Sequence, residues 1–288
     1  MTRSVSSRTT VGRTAAGRSG LVRTAVAVAA VVVAAAGLTA CASAADDPDP
    51  EQRSFALTGR TLTVDSDDSG LEIVASPETK PGSIEVTRWF DGSVMIGEEP
   101  KVTWSMKDDR LTLRTHCSGF GADCSARHKV EVPRGVAVKV EDGDGAVRAS
   151  GFEDPLDIRT GDGDVRVSDT SGALTVRTGD GRVRITDSTG PAELRTGDGD
   201  IDAELDSRQV TTRTGDGSVR LTLGVVPDRV ETRSGDGNVT VTLPRAGYRV
   251  TTETGDGGVD VSVPRDDSSA HVITVRTGDG KVTLRTAN

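Results

Sequence analysis

Aromatic side chains are almost absent: four Phe, two Trp and one Tyr make up 2% of the 288 residues. A wide globular core usually draws on such large side chains. The apolar residues here, 34% of the chain, are mainly Val, Leu, Ala and Ile, which suits a narrow core between strands. Histidine and cysteine are scarce, at three residues each. The chain has no G-x-S-x-G, no H-E-x-x-H and no glycine-rich phosphate loop. No catalytic residue is assigned, and the expectation is a protein that is not an enzyme.

Basic charge is also in deficit. Lys and Arg number 35 against 44 Asp and Glu, a formal net charge of −9. Residues 1–40 hold five of the arginines (Arg3, Arg8, Arg13, Arg18, Arg23) and no acid, so the remainder carries a net charge of −14. An acidic body argues against a nucleic-acid partner, whose phosphates it would repel. The same charge argues against lying flat on anionic lipid.

The basic residues 1–23 lead into an apolar run, Thr24 to Ala40, built almost wholly of Ala and Val. This is the n-region and h-region order of an export signal. The run closes with Leu38-Thr39-Ala40-Cys41, which resembles the lipobox of bacterial lipoprotein precursors. The resemblance implies lipid (palmitate-bearing) modification at Cys41 and cleavage before it. The protein would then be tied to the cell membrane on its extracytoplasmic face. On this reading residues 1–40 are the signal peptide. Residues 41–53 are the lipidated Cys and a flexible acidic tether, too polar and Pro-rich to pack. A bare transmembrane helix is the rival, but about 17 residues is at the short limit for spanning.

With Cys41 set aside, Cys117 and Cys124 remain in HCSGFGADCSARH, and in an exported chain they read as a disulfide. Zinc held by His116, Cys117, Cys124 and His128 is the alternative. Adjacent residues on a strand point to opposite faces, and no C-x-x-C element is present.

The second half repeats itself. EDGDGAV at 141–147 is followed by RTGDGDV (159–165), RTGDGRV (177–183), RTGDGDI (195–201), RTGDGSV (213–219), RSGDGNV (233–239), ETGDGGV (253–259) and RTGDGKV (276–282). The steps are 18 residues, lengthening to 20 and then 23 toward the end. Within a unit, Leu174, Val176, Val183 and Ile185 alternate with Thr175, Arg177, Arg182 and Arg184. Period two on both sides of GDG means two short strands per unit and no room for a helix.

Such a unit cannot bury its apolar face alone, whereas stacked copies share a continuous thin core. The fold class is therefore all-β. The favoured form is a repetitive β-solenoid of two short strands per 18–20-residue coil over residues 141–288. Residues 54–140 form an irregular β cap on its N-terminal side, where five of the seven aromatics lie. A β-meander of hairpins closed by the D-G turns satisfies the same alternation. The glycines are expected to supply positive φ at the turns, and the Arg column three residues before each Asp to neutralise the Asp column. The C-terminal strand (VTLRTAN) has no evident cap, so this open edge is a candidate for self-association.

The V-P-R-G turn at 132–135, followed by GDG-centred strand pairs behind an export signal, resembles the bacterial envelope proteins grouped as adhesin-type β-strand-repeat domains of unknown function. The resemblance spans about residues 54–288. It implies an extracytoplasmic, non-enzymatic binding or scaffold role, sometimes linked to envelope stress, with a cell-wall or surface protein as partner. Two other classes compete. A calcium-binding β-roll has coils of this length, and the best oxygen donors lie where acid replaces Arg: Glu141, Asp142 and Asp144, and Glu253, Asp256 and Asp260. No other cofactor is called for. A β-helix enzyme acting on polysaccharide needs an asymmetric group that breaks the period, and the repeats offer only His271 and Tyr248.

Overall fold

The computed structural model describes Asp47 and residues 49–287. The signal segment 1–40, the lipidation candidate Cys41 and the start of the tether lie outside these residues. Every element among the described residues is a strand.

Two long sheets, of 12 and 11 strands, face each other across one apolar core. The chain opens with β1 (Glu51–Ala56), β2 (Thr61–Ser66), β3 (Gly70–Ser76) and β4 (Ser83–Ser93). It continues through β5 (Ile96–Gly97), β6 (Lys101–Lys107), β7 (Arg110–His116), β8 (Gly119–Phe120) and β9 (Asp123–Pro133). Coils of one strand per sheet follow: β10 and β11 (Ala137–Glu141, Val147–Ser150), β12 and β13 (Leu156–Arg159, Val165–Thr170), β14 and β15 (Leu174–Arg177, Val183–Ser188). Next come β16 and β17 (Ala192–Arg195, Ile201–Leu205), β18 and β19 (Gln209–Arg213, Val219–Leu223), and β20 and β21 (Arg229–Arg233, Val239–Leu243). The last are β22 and β23 (Arg249–Glu253, Val259–Val261) and β24 and β25 (Val272–Arg276, Val282–Thr286).

Each GDG segment crosses from one sheet to the other, and equivalent strands of successive coils pair in parallel. A meander of hairpins is thereby excluded for the repeats and the solenoid stands. The period of 18 puts like on like: Val165 lies beside Val183, and Val183 beside Ile201. These inward positions are fully buried while the alternate Arg and Thr face water. Val, Ile and Leu columns about 4.8 Å apart fill most of a layer about 10 Å thick, with Phe55, Phe152 and Tyr248 the aromatic side chains buried in it.

Three features differ from the sequence expectation. First, Glu51–Arg53, assigned to the tether, belong to β1, which pairs antiparallel with β4. Second, the cap is less irregular than a separate region: residues 61–76, where Leu62, Val64, Leu71 and Ile73 fill the apolar slots of a degenerate repeat copy, do form a coil, with β2 and β3 in register between β10 and β11 on one side and β7 and β9 on the other. In the two long sheets the antiparallel pairings are confined to that end, β1 with β4, β4 with β9 and β6 with β7. Third, the C-terminal strand is not an open edge. β25 lies between β21 and β23, and β24 between β20 and β22. The outermost coil is therefore β22 and β23, the last but one of the repeat series. The 23-residue step allows this, because the longer connection 262–271 gives the chain enough length to step back inside. That connection also covers part of the end: Val263 is buried, Tyr248 is wholly buried, and its main chain bridges to Arg265.

Candidate interaction surfaces

The GDG column was the first candidate for chemistry, and it is consumed by stacking. From Gly161 on, the first Gly of each turn donates its N–H to the first-Gly carbonyl of the neighbouring turn in the stack, as Gly179 does to Gly161 and Gly197 to Gly179. The Asp carboxylate accepts the amide of the next Asp along the stack: Asp162 N–H donates to Asp144 Oδ1 at 3.1 Å, and Asp180 N–H to Asp162 Oδ1 at 3.2 Å. Two residues on, the device recurs, with Arg182 N–H donating to Asp164 Oδ1 at 3.0 Å and Ser218 N–H to Asp200 Oδ1 at 3.0 Å. The Thr hydroxyl, buried in the corner, donates to the neighbouring turn's carbonyls, as Thr178 does to Gly163 at 2.9 Å. None of the GDG glycines has positive φ. They are glycine because a Cβ on the second Gly would run into the carbonyl of the coil below.

The Arg column does not neutralise these Asp residues. It pairs with acids two positions back on the same outer face. Asp157 meets Arg159 and Arg177; Glu193 meets Arg177 and Arg195; Glu231 meets Arg213 and Arg233. Each acid thus sits between two guanidinium groups, with Thr175 and Thr211 in the alternate places. The side chains are half-buried to exposed on a flat, solvent-facing sheet, so each pair contributes about 1 kcal/mol or less. Glu193→Gln is expected to shift the urea midpoint by less than about 1 kcal/mol in free energy. A loss above about 2 kcal/mol would mean the ladder holds the stack together.

On the opposite sheet's outer face Arg148, Arg166 and Arg184 are consecutive in register. Arg166 meets Asp164 and Arg184 meets Asp202. With Ser150, Ser168 and Thr186 they line a shallow groove of about 390 Å³.

The calcium candidates do not converge. Glu141 is bound to Arg110 at 2.5 Å and Glu253 to Arg276 at 2.7 Å. Asp256 and Asp260 lie exposed on the outermost coil. Among the described residues no group of three or more His, Cys, Asp or Glu is placed to hold a metal ion. Cys117 and Cys124 form a disulfide, and His128 sits buried away from them, its Nδ1 3.0 Å from Ser69 Oγ. The two asymmetric groups in the repeats are structural: Tyr248 OH donates to Pro244 O at 2.7 Å, and His271 Nδ1 lies 2.9 Å from Pro227 O.

Sequence reasoning missed a buried polar cluster where the first GDG coil meets β2 and β3. Asp142 occupies the corner that Thr fills in the next coils, beside Asp67, Asp68 and Ser66. Burial pushes its carboxyl up to about 7, and repulsion from Asp68 and Asp67 adds to this; the Ser66 hydroxyl and Gly145 N–H oppose it without making a well-formed hydrogen bond. Ser66 Oγ lies 2.8 Å from Ser69 Oγ, which leads on to His128. Burial, with Arg88 nearby, holds the His128 imidazole down to about 4. The sequence clue was the break of T-G-D-G to D-G-D-G at Asp142.

The cap's aromatics are largely structural. Arg88 stacks 4.6 Å from Trp104 and Arg127 4.0 Å from Trp89, and Phe55 meets Trp104 edge-on. The exceptions are on a projecting tip: Met95, Ile96 and Phe120 are 77%, 72% and 72% exposed.

Taken together, these features define an all-β repeat protein whose repeated polar groups serve the stack. The family model described as Toastrack DUF4097 matches residues 128–256. Among solved structures, a putative adhesin from Parabacteroides merdae ATCC 43184 is similar at 12% identity, over 84% of this chain and 98% of that one, with a TM-score of 0.51. A putative lipid binding protein from Parabacteroides distasonis ATCC 8503 is similar at 12% identity over the same shares, with a TM-score of 0.50. At this identity the likeness is one of fold. No curated protein matches the chain in sequence.

Proposed function

We propose that the protein is a lipid-anchored, extracytoplasmic binding or scaffold protein that acts through its exposed surfaces, in the manner its adhesin-named neighbour suggests, and carries out no reaction. One observation carries this reading. The Asp, Thr and Gly of the repeat are engaged in holding coils together, His271 joins one connection to another, and Tyr248 braces its own connection. What remains free in quantity is two flat, Arg-studded sheet faces and the apolar tip. The anchor rests on the Leu38-Thr39-Ala40-Cys41 sequence and on the short acidic segment after it.

The test is radioactive palmitate labelling in a bacterial host, followed by photo-crosslinking in intact cells from positions 166 and 177. Label in the native chain, its loss in Cys41→Ser, and a discrete crosslinked partner from one face are expected. Undiminished labelling of Cys41→Ser would overturn the anchor. Turnover of a cell-wall glycan by the purified protein would overturn the non-enzymatic reading.

A further inference from the structure

The three most exposed large apolar side chains among the described residues, Met95, Ile96 and Phe120, meet on one small projection. It is the two-stranded sheet of β5 and β8, with Ile96 opposite Phe120 and Gly97 opposite Gly119. The projection is braced. The Cys117–Cys124 disulfide closes its base. Gly97 and Gly119 have φ of 156° and 142°, and a Cβ on Gly97 would lie 2.7 Å from Gly119 Cα. The two backbones are thus too close to admit side chains between them, and the apolar groups are carried outward. A rigid apolar tip in water is unfavourable and marks a contact surface.

The position of the tip indicates what covers it. β1 runs antiparallel to β4 with Glu51 opposite Arg88, so the chain before β1 runs back along β4 toward Ser93 and the tip beyond it. Asp47 is fixed there, its carboxylate accepting the Phe90 N–H at 3.0 Å. Cys41 is six residues earlier, which covalent geometry limits to about 20 Å from Asp47. A lipid on Cys41 would bring the bilayer to the end of the molecule that carries the tip.

We propose that Met95, Ile96 and Phe120 insert into the outer surface of the bilayer to which Cys41 is tied, giving the solenoid a second, non-covalent contact that fixes its orientation. This rests on the reading of Cys41 as the lipidated residue. The insertion is shallow. Val94–Gly97 and Ser118–Ala122 carry no charge, whereas Asp91, Glu98, Glu99 and Asp123 stand exposed at the base of the tip. Those acids stay in water and disfavour anionic headgroups, so zwitterionic lipid is the preferred surface.

The experiment uses the full chain with Phe120→Trp, purified after palmitate labelling and reconstituted in phosphatidylcholine vesicles with brominated acyl chains. The unsubstituted chain supplies the background from Trp89 and Trp104. Expected is a blue-shifted added emission, most of which is lost in the brominated vesicles, with the loss shrinking as anionic lipid is added. Added emission that is unquenched in a labelled chain overturns the inserted tip and leaves the anchor standing. A blue shift without quenching also overturns it, because the tip is then covered by protein. Absence of palmitate label, with quenching retained, overturns the anchor and leaves the tip standing.

Discussion

Replacing Asp142 by Thr is expected to stabilise the protein at pH 8 by about 2–4 kcal/mol, with the gain disappearing as the pH falls toward 4. The cause is the corner the carboxyl occupies. In the later coils a Thr hydroxyl points there and donates to the carbonyls of the turn below, as Thr196 does to Gly179 and Gly181. A carboxylate has no proton to offer those oxygens and is desolvated among Asp67, Asp68 and backbone. Its folded pKa is accordingly pushed up to about 7 from 3.8. A raised pKa gives stability that is full below the unfolded value and lost as pH rises through the folded one. The native protein therefore loses this contribution between about pH 4 and 7. Three pH units correspond to about 4 kcal/mol, and partial contact with solvent lowers that figure. For a chain of this size the change in Tm at pH 8 is about 5–15 °C. Differential scanning calorimetry of native, Asp142→Thr and Asp142→Asn proteins at pH 4 and pH 8 decides it. Equal midpoints at pH 8 would show that burial does not raise the pKa of this carboxyl.

His128 adds a second, opposite slope. Its pKa is held down to about 4 from 6.5, so its contribution is present above the unfolded value and is lost as pH falls from 6.5 toward 4. In the native protein the two slopes nearly cancel between pH 4 and 6.5, and stability is close to flat there. Asp142→Thr removes one of them. The variant should lose stability steadily on acidification over that window, while the native protein does not.

The repeat was legible because its physics is local. Alternation of Val183 and Ile185 with Arg182 and Arg184 dictates strands, and the even period of 18 dictates stacking in register. The order of stacking was not legible. Nothing in the residues of β25 distinguishes a coil at the end of the chain from a coil at the end of the stack, and only the 23-residue step hinted at a reversal. The pairing of charges was misread for a related reason. Arg177 lies three residues before Asp180 in sequence, but the GDG segment turns the corner between them, so Arg177 faces Glu193 and Asp157 on the flat sheet instead. The buried cluster of Asp142, Ser66, Ser69 and His128 joins the two serines to residues 59–76 positions away, and no spacing rule reaches that far. The apolar tip was hidden because MIG at 95–97 and SGF at 118–120 are too short to carry a pattern.

Gly181→Ala should destabilise the protein by about 3–5 kcal/mol, a substantial share of the roughly 5–15 kcal/mol that holds an ordinary domain folded. The added methyl would be driven into the Gly163 carbonyl directly below it, with Thr178 Oγ1 also only 2.8 Å away. Neither can yield cheaply. The Gly163 carbonyl accepts the Thr178 hydroxyl at 2.9 Å, and the first glycines of the two turns, Gly161 and Gly179, are joined by a backbone hydrogen bond. Relief would mean spreading two coils apart and breaking strand ladders on both sheets. In a solenoid each coil contacts only its neighbours, so a break in the middle divides the stack into two shorter and weaker pieces. Two controls separate this from the general cost of replacing glycine. A methyl on Gly258 would meet nothing within 4 Å, so Gly258→Ala is expected to be neutral to about 0.5 kcal/mol. Gly257 meets the Gly280 carbonyl as Gly181 meets that of Gly163, but it lies on the outermost coil. Gly257→Ala should therefore release only β22 and β23, seen as local loss of amide-exchange protection with a small change in the global midpoint. A Gly181→Ala protein that melts with the native one would mean that the turns are not in backbone contact, and that the glycines are needed for something other than stacking.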